Sequence, residues 1–188
     1  LDTKGSGVSL ANLPVNIIDR IEIYKGVVPA SLGTDALGGA INIITKQEKK
    51  NYLDVSYGIG SFHTHKADLN AQFVEPKTGL IIRPTVGVNY SKNDYRMKDV
   101  QMRDESGDNF IYGNPKRFHD DYFSLLGQIE VGVANKSWAD AFFVSASYSK
   151  TDKELQTGAV QTKVYGMAER NSDAWNISAH YQKRNFIL

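Results

Sequence analysis

The stretch from Gly26 to Lys46, GVVPASLGTDALGGAINIITK, sets glycines between two runs rich in Val and Ile, where a turn could cradle phosphate. Gly33 and Gly38 stand at the interval of a P-loop, in which backbone N–H groups wrap a phosphate and a lysine neutralises it. Gly39 and Ala40 follow, however, in place of Lys and Ser or Thr. The dinucleotide fingerprint fails as well, because it needs a helix starting at the glycines, and the residues after Gly39 are β-branched strand formers. Other groups able to do chemistry are no better placed. His63 and His65 could share a strand face and hold a metal, but no third ligand accompanies them. Arg103 to Asn109, RDESGDN, has acids without the calcium-loop spacing and reads as a solvated loop. His119 precedes Asp120 and Asp121, yet no Ser or Cys sits in a nucleophile context, so a hydrolase triad lacks its first member. The expectation is a protein that is not an enzyme, with no catalytic residues, no cofactor and no metal ligands.

The elements around these residues say more. The chain has 188 residues, 41% hydrophobic and 23% charged, an ordinary composition for something that packs a core. Its 22 basic and 21 acidic residues nearly cancel, and no basic block with interleaved aromatics appears, which argues against nucleic acid as a partner. Without cysteine there is no disulfide framework and no thiolate chemistry. The opening LDTKGSG carries neither a starter Met nor an apolar targeting core, so a targeting segment is expected outside this chain, which reads as a fragment. No run approaches the roughly 18–20 apolar residues of a spanning helix. A β-barrel stays open, since its signal is alternation rather than mean hydropathy.

That alternation begins after residue 50. Leu53, Val55, Tyr57 and Ile59 oppose Asp54, Ser56, Gly58 and Gly60. The same period of two predicts strands at Ala67–Phe73, Ile82–Ser91, Phe123–Val133, Phe142–Ser149 and Trp175–Tyr181. Leu126 and Phe143 fall on the polar face, where they could pack against something inside. Short connections at 75–79 and 135–139 contrast with long, charged ones at 92–120 and about 151–173, the asymmetry of a membrane barrel's periplasmic turns and extracellular loops. Tyr90, Phe123, Tyr148 and Trp175 would then line one membrane interface, and Phe73, Phe142 and Tyr181 the other. A soluble sandwich also alternates, but the polar face here is rich in Ser, Asn, Gln and Gly, which suits a wet lumen.

Residues 13–46, LPVNIIDRIEIYKGVVPASLGTDALGGAINIITK, resemble the last third of the plug domain of TonB-dependent outer-membrane receptors, and DVSYGIGSFHTHKADLNAQF is similar to the first hairpin of their barrel. The resemblance covers essentially the whole chain, in its later part mainly by pattern, and looks most like versions from Bacteroidetes-type bacteria. It implies a mainly β protein in two parts: residues 1–48 as the C-terminal part of the plug, and 49–188 as the first six or so antiparallel strands of an incomplete transmembrane barrel. Arg20, Glu22, Lys25, Gly26, Gly33, Gly38 and Gly39 would be structural, the glycines allowing tight turns inside a lumen. Ser31, Thr34 and Asp35, on a plug loop, would meet the substrate. Lys25 stands where the family usually carries an Arg able to grip barrel carboxylates bidentately, a lock that a point charge does not reproduce. The implied function is TonB-energised uptake of a scarce solute (a ferric siderophore, cobalamin or an oligosaccharide) across the bacterial outer membrane. The implied partners are membrane lipid, the solute and the TonB complex, whose contact segment would lie outside this chain. The alternatives are a passive porin or surface adhesin, and a soluble glycan-binding β-domain.

Overall fold

The structure, a computed structural model, describes residues 18–26, 28–29, 39–45, 50–158 and 162–183. Every regular element among them is a strand: β1 (Ile18–Lys25), β2 (Gly39–Thr45), β3 (Tyr52–Gly60), β4 (Thr64–Glu75), β5 (Leu80–Ser91), β6 (Val100–Arg103), β7 (Phe110–Gly113), β8 (Tyr122–Ala134), β9 (Ala141–Glu154) and β10 (Glu169–Gln182). The six strands read from alternation form one antiparallel sheet in the order β10-β9-β8-β5-β4-β3, a meander in which each strand pairs with the next long strand in the chain. The fold is therefore all-β and antiparallel, as expected. Register is continuous from Leu80↔Val133 to Ser91↔Tyr122 and from Tyr122↔Lys153 to Ala134↔Ala141. The β4–β5 ladder breaks only between Asn70↔Thr85 and Phe73↔Ile82, beside Pro84, which brings no N–H.

Two expectations about the long connections need correction. The segment 92–120 contains a small hairpin, β6–β7, with Val100↔Gly113 and Arg103↔Phe110 as its outermost pairs. The second connection is shorter than the sequence indicated, because β9 runs on to Glu154 and β10 starts at Glu169, paired from Glu169↔Glu154 upward. Both extensions are polar on each face (Lys150, Thr151, Asp152 and Lys153 against Arg170, Asn171, Ser172 and Asp173), so they lack the apolar alternation by which a half-buried strand is recognised.

β1 and β2 form a separate antiparallel pair from Ile18↔Thr45 to Lys25↔Gly39. Its glycines answer the phosphate question structurally. Gly39 has φ +140°, and a Cβ there would lie 2.5 Å from the Tyr24 carbonyl oxygen across the ladder. Gly26, at φ +86°, turns the chain out of β1. Gly33, Gly38, Ser31, Thr34 and Asp35 lie outside the described residues.

On its four inner strands the large sheet buries much of its polar face. Gln72 is fully buried, and Asn70, Ser124 and Thr85 are buried beside it. Leu126, an apolar exception on that face, is 1% exposed between its cross-strand neighbours Gly87 and Ser149. The opposite face carries Leu53, Val55, Phe73, Ile129, Trp175 and Ile177, all exposed, Ile177 to 78%. This inverts the order of a soluble sheet.

Candidate functional site

The inner face is organised by a polar row across four strands. Gln72 on β4 accepts the Arg83 Nε–H at 2.7 Å through its Oε1. Arg83 on β5 also pairs with Glu130, directly opposite on β8, and its guanidinium lies 4.9 Å from the centre of the Phe143 ring on β9. The Phe143 ring in turn covers Gly132, its cross-strand partner. Phe143, one of the two apolar residues that alternation left on the wrong face, is thus a platform for a cation rather than a packing error. From its other end Gln72 donates Nε2–H to the Lys50 carbonyl at 2.8 Å. Asn51 Oδ1 accepts the Val74 N–H at 2.6 Å, so the chain is tied to β4 just before β3 begins.

The apolar outer face forms a band that runs obliquely to the ladder. Followed through the register, the band spans Leu53 to Ile59 on β3, and Leu80 to Tyr90 on β5 opposite Val133 to Phe123 on β8. On β9 and β10 it spans only Phe142 to Tyr148 opposite Tyr181 to Trp175. The expected aromatic groups mark its edges. Tyr90 faces Phe123, Tyr148 and Trp175 pack with ring centres 4.6 Å apart, and Phe142 faces Tyr181 at the opposite end. Above the band on β9 and β10 stand Lys150, Asp152, Asp173 and Asn171, which are charged or polar. Between its two ends the band's centre slips four residues along the strands over five strand spacings. That is about 13 Å along the strands against about 24 Å across them, a tilt of roughly 30°.

The strand ends opposite the short turns carry a braced platform. Asp120 takes Lys153 Nζ and the Arg117 side chain, and all three are largely buried. Arg117 Nε lies 2.7 Å from Asp120 Oδ2 with its N–H off that line, so the contact is ionic rather than a hydrogen bond. The buried Gln156 side chain accepts the Phe118 N–H at 2.7 Å, joining the two long connections. Between them opens a cavity of about 310 Å³ whose lining includes Met97, Met102, Phe118, Val164, Arg103 and Lys116. Sequence reasoning missed it because its walls come from segments roughly 40–70 residues apart, none with a motif of its own.

The single residues weighed for chemistry separate. His63 turns toward Asp94 at 3.6 Å, while the His65 ring contacts the Tyr57 hydroxyl at 2.8 Å, so the two histidines hold no common ligand. Lys116 holds the Asp94 carboxyl below its usual range. Asp104 spends its oxygens on Ser106 and Asn109 within its own turn, and these donors, Ser106 first, lower its pKa to about 2. On β1, Glu22 accepts from Tyr24, Arg20 and Asn42. Those donors, Tyr24 first, hold its carboxyl below the usual range. Arg20 and Glu22 thus form one polar face of the small hairpin, and Lys25 ends it opposite Gly39.

Over 201 residues the chain is 27% identical to the vitamin B12 transporter BtuB of Vibrio vulnificus (strain CMCP6), a match covering 94% of this chain and 32% of that protein. It is 25% identical over 198 residues to the vitamin B12 transporter BtuB of Vibrio cholerae serotype O1 (strain ATCC 39541), covering 98% of this chain and 28% of that protein. The chain therefore spans about a third or less of the length of the curated relatives it matches. No family model matches it, and no solved structure matches it. The relatives are transporters rather than enzymes, and the matches run through the small hairpin and the large sheet alike. They bear out the resemblance to TonB-dependent receptors.

Proposed function

We propose that this chain is the plug-to-barrel portion of a TonB-dependent receptor of the bacterial outer membrane, through which a scarce solute is drawn inward at the expense of the inner-membrane proton gradient. The observation that carries the reading is the exposed, oblique apolar band. A sheet whose apolar face is exposed and whose polar face is buried on the inner strands suits lipid outside and a wet, filled lumen inside. A band crossing the ladder at roughly 30° is what a horizontal hydrocarbon layer cuts from tilted strands, which in such barrels lean about 35–45°. A soluble glycan-binding domain would need a second layer over Leu53, Val55, Ile129 and Ile177, and nothing among the described residues covers them.

β1 and β2, preceding the first long strand, favour a plugged receptor over a passive porin or adhesin. Residues 1–48 are read as plug and 49–188 as barrel, with Ser31, Thr34 and Asp35 on the plug loop that meets solute. The relatives are named for vitamin B12 transport, which puts a corrinoid ahead of a ferric siderophore or an oligosaccharide. The cavity between the long connections is too small to enclose such a solute, but its methionines and Phe118 beside Arg103 and Lys116 offer one part of it apolar and cationic contacts.

The test is uptake of labelled cobalamin by cells expressing the full-length receptor, with and without functional TonB, paired with bilayer conductance of intact and plug-deleted receptor. Uptake that needs TonB, and conductance that appears only after plug deletion, are expected. Energy-independent uptake through an openly conducting intact protein would move the assignment to a porin. TonB-dependent uptake of another solute would keep the mechanism and change the substrate.

A further inference from the structure

Above the apolar band the fold gathers three side chains that the transport reading does not use. His119 stands near the end of the first long connection, Glu154 ends β9 and Glu169 begins β10. One donor atom from each lies within 4.8 Å of the others. Glu154 and Glu169 are directly opposed across the β9–β10 ladder, and like charges so placed repel. The imidazole is oriented from behind. Its Nε2 lies 3.1 Å from the Ala168 carbonyl, which can only accept, so Nε2 carries the proton. In the neutral ring Nδ1 then turns a lone pair toward Glu154 Oε1, 3.4 Å away. With Nδ1 unprotonated, as metal binding requires, the three side chains present three acceptors to a cation.

The supporting contacts agree with that reading. Glu154 Oε2 accepts the Asp121 N–H at 2.9 Å, so the imidazole and this carboxylate are each fixed by a backbone group, as metal ligands commonly are. Two ligands each about 2.0–2.1 Å from a tetrahedral ion stand about 3.3–3.4 Å apart, the separation found between Nδ1 and Oε1. Glu169 is exposed and can close on the ion by side-chain rotation. A cavity of about 340 Å³, lined in part by Glu154, Glu169 and Asn171, adjoins them; its two lysines, Lys150 and Lys153, are paired with Asp152 and Asp120 and so leave the glutamates to a cation. An imidazole with two carboxylates suits zinc and its transition-metal neighbours, whereas calcium takes six to eight oxygens.

We propose that His119, Glu154 and Glu169 form a transition-metal site of the zinc type on the outer rim, with the remaining position taken by water. Occupied, it would pin the first long connection to β9 and β10. The site stands whatever solute the receptor carries.

The test uses the full-length receptor in detergent micelles, stripped with chelator and titrated with zinc against a chromophoric indicator. Glu169→Gln and His119→Gln are compared with wild type, folding being checked by heat-modifiable migration. The wild type should bind one zinc equivalent more tightly than either variant, by about tenfold or more. Cobalt in place of zinc should give a visible absorption band that His119→Gln abolishes, and millimolar calcium should leave the zinc bound. Equal zinc binding by wild type and Glu169→Gln would overturn the site, as would displacement of the zinc by calcium. If His119→Gln fails to fold, Glu169→Gln, altered at an exposed side chain, decides alone.

Discussion

Val86 and Gln128 sit on adjacent strands within one residue of the same level, and their side chains leave opposite faces of the sheet. Val86 is in the middle of the apolar band on β5, exposed on the outer face. An arginine there would stand in hydrocarbon, at a cost of roughly 2–4 kcal/mol near the midplane. Gln128→Arg would extend into the lumen instead. Folded full-length receptor, measured by heat-modifiable migration, should fall sharply for Val86→Arg and little for Gln128→Arg; the reverse order would mean that the faces are inverted. Asp104 makes a second prediction. Its pKa is lowered to about 2 in the fold from the usual 3.8, so the order it gives its turn is fully present above about pH 4 and is lost as pH falls through 2. Protection of the Asp108 and Asn109 amides from exchange, relative to their intrinsic rates, should fall over that window in the full-length receptor, and Asp104→Asn should remove the pH dependence of that protection; a turn that loosens already at pH 5 would contradict the assignment. The Asp104 turn was legible as a solvated loop because its ligands are local. His119 was not legible, since its partners lie 35 and 50 residues onward and meet it only through strand register.

Among elements, the alternating apolar residues located all six long strands, because each strand turns apolar residues to one face of the sheet and polar residues to the other. The strand ends beyond the band were unreadable for the complementary reason: with polar residues on both faces, β9 and β10 extend through residues that alternate nothing. The β6–β7 hairpin was hidden by its length, four residues a strand, although Val100 and Met102, opposite Gly113 and Ile111, carry a faint period of two. The uneven connections set the orientation. The turn after β4 holds Lys77, and the tip of β6–β7 holds Asn109, at opposite ends of the sheet. With no native cysteine in this chain, Asn109→Cys in the full-length receptor should react with an impermeant maleimide on intact cells, and Lys77→Cys should not. Equal labelling at both would refute the proposed topology.

For the whole molecule, the informative fact is that the sheet has two ends. β3 and β10 are its edges, and in lipid each unpaired N–H or C=O costs several kcal/mol. The isolated 188-residue chain should therefore not insert into bilayers as a heat-resistant monomer, and recovery of such a species would show that the strands satisfy one another in some other way. The reading of residues 1–48 as plug rests on resemblance, and the loop proposed to meet solute lies outside the described residues, so the sequence remains the source for Ser31, Thr34 and Asp35. The tie at the entrance to β3 has a mechanical meaning. If TonB pulls on the plug, tension travels down the chain to Lys50 and Asn51, and a bare strand beginning there would peel from β4 one hydrogen bond after another. Instead the load meets Gln72 and the Val74 amide first, then passes through Arg83 to Glu130 and the Phe143 ring. The pull is spread across four strands as shear, so the barrel wall can serve as a fixed anchor while the plug yields.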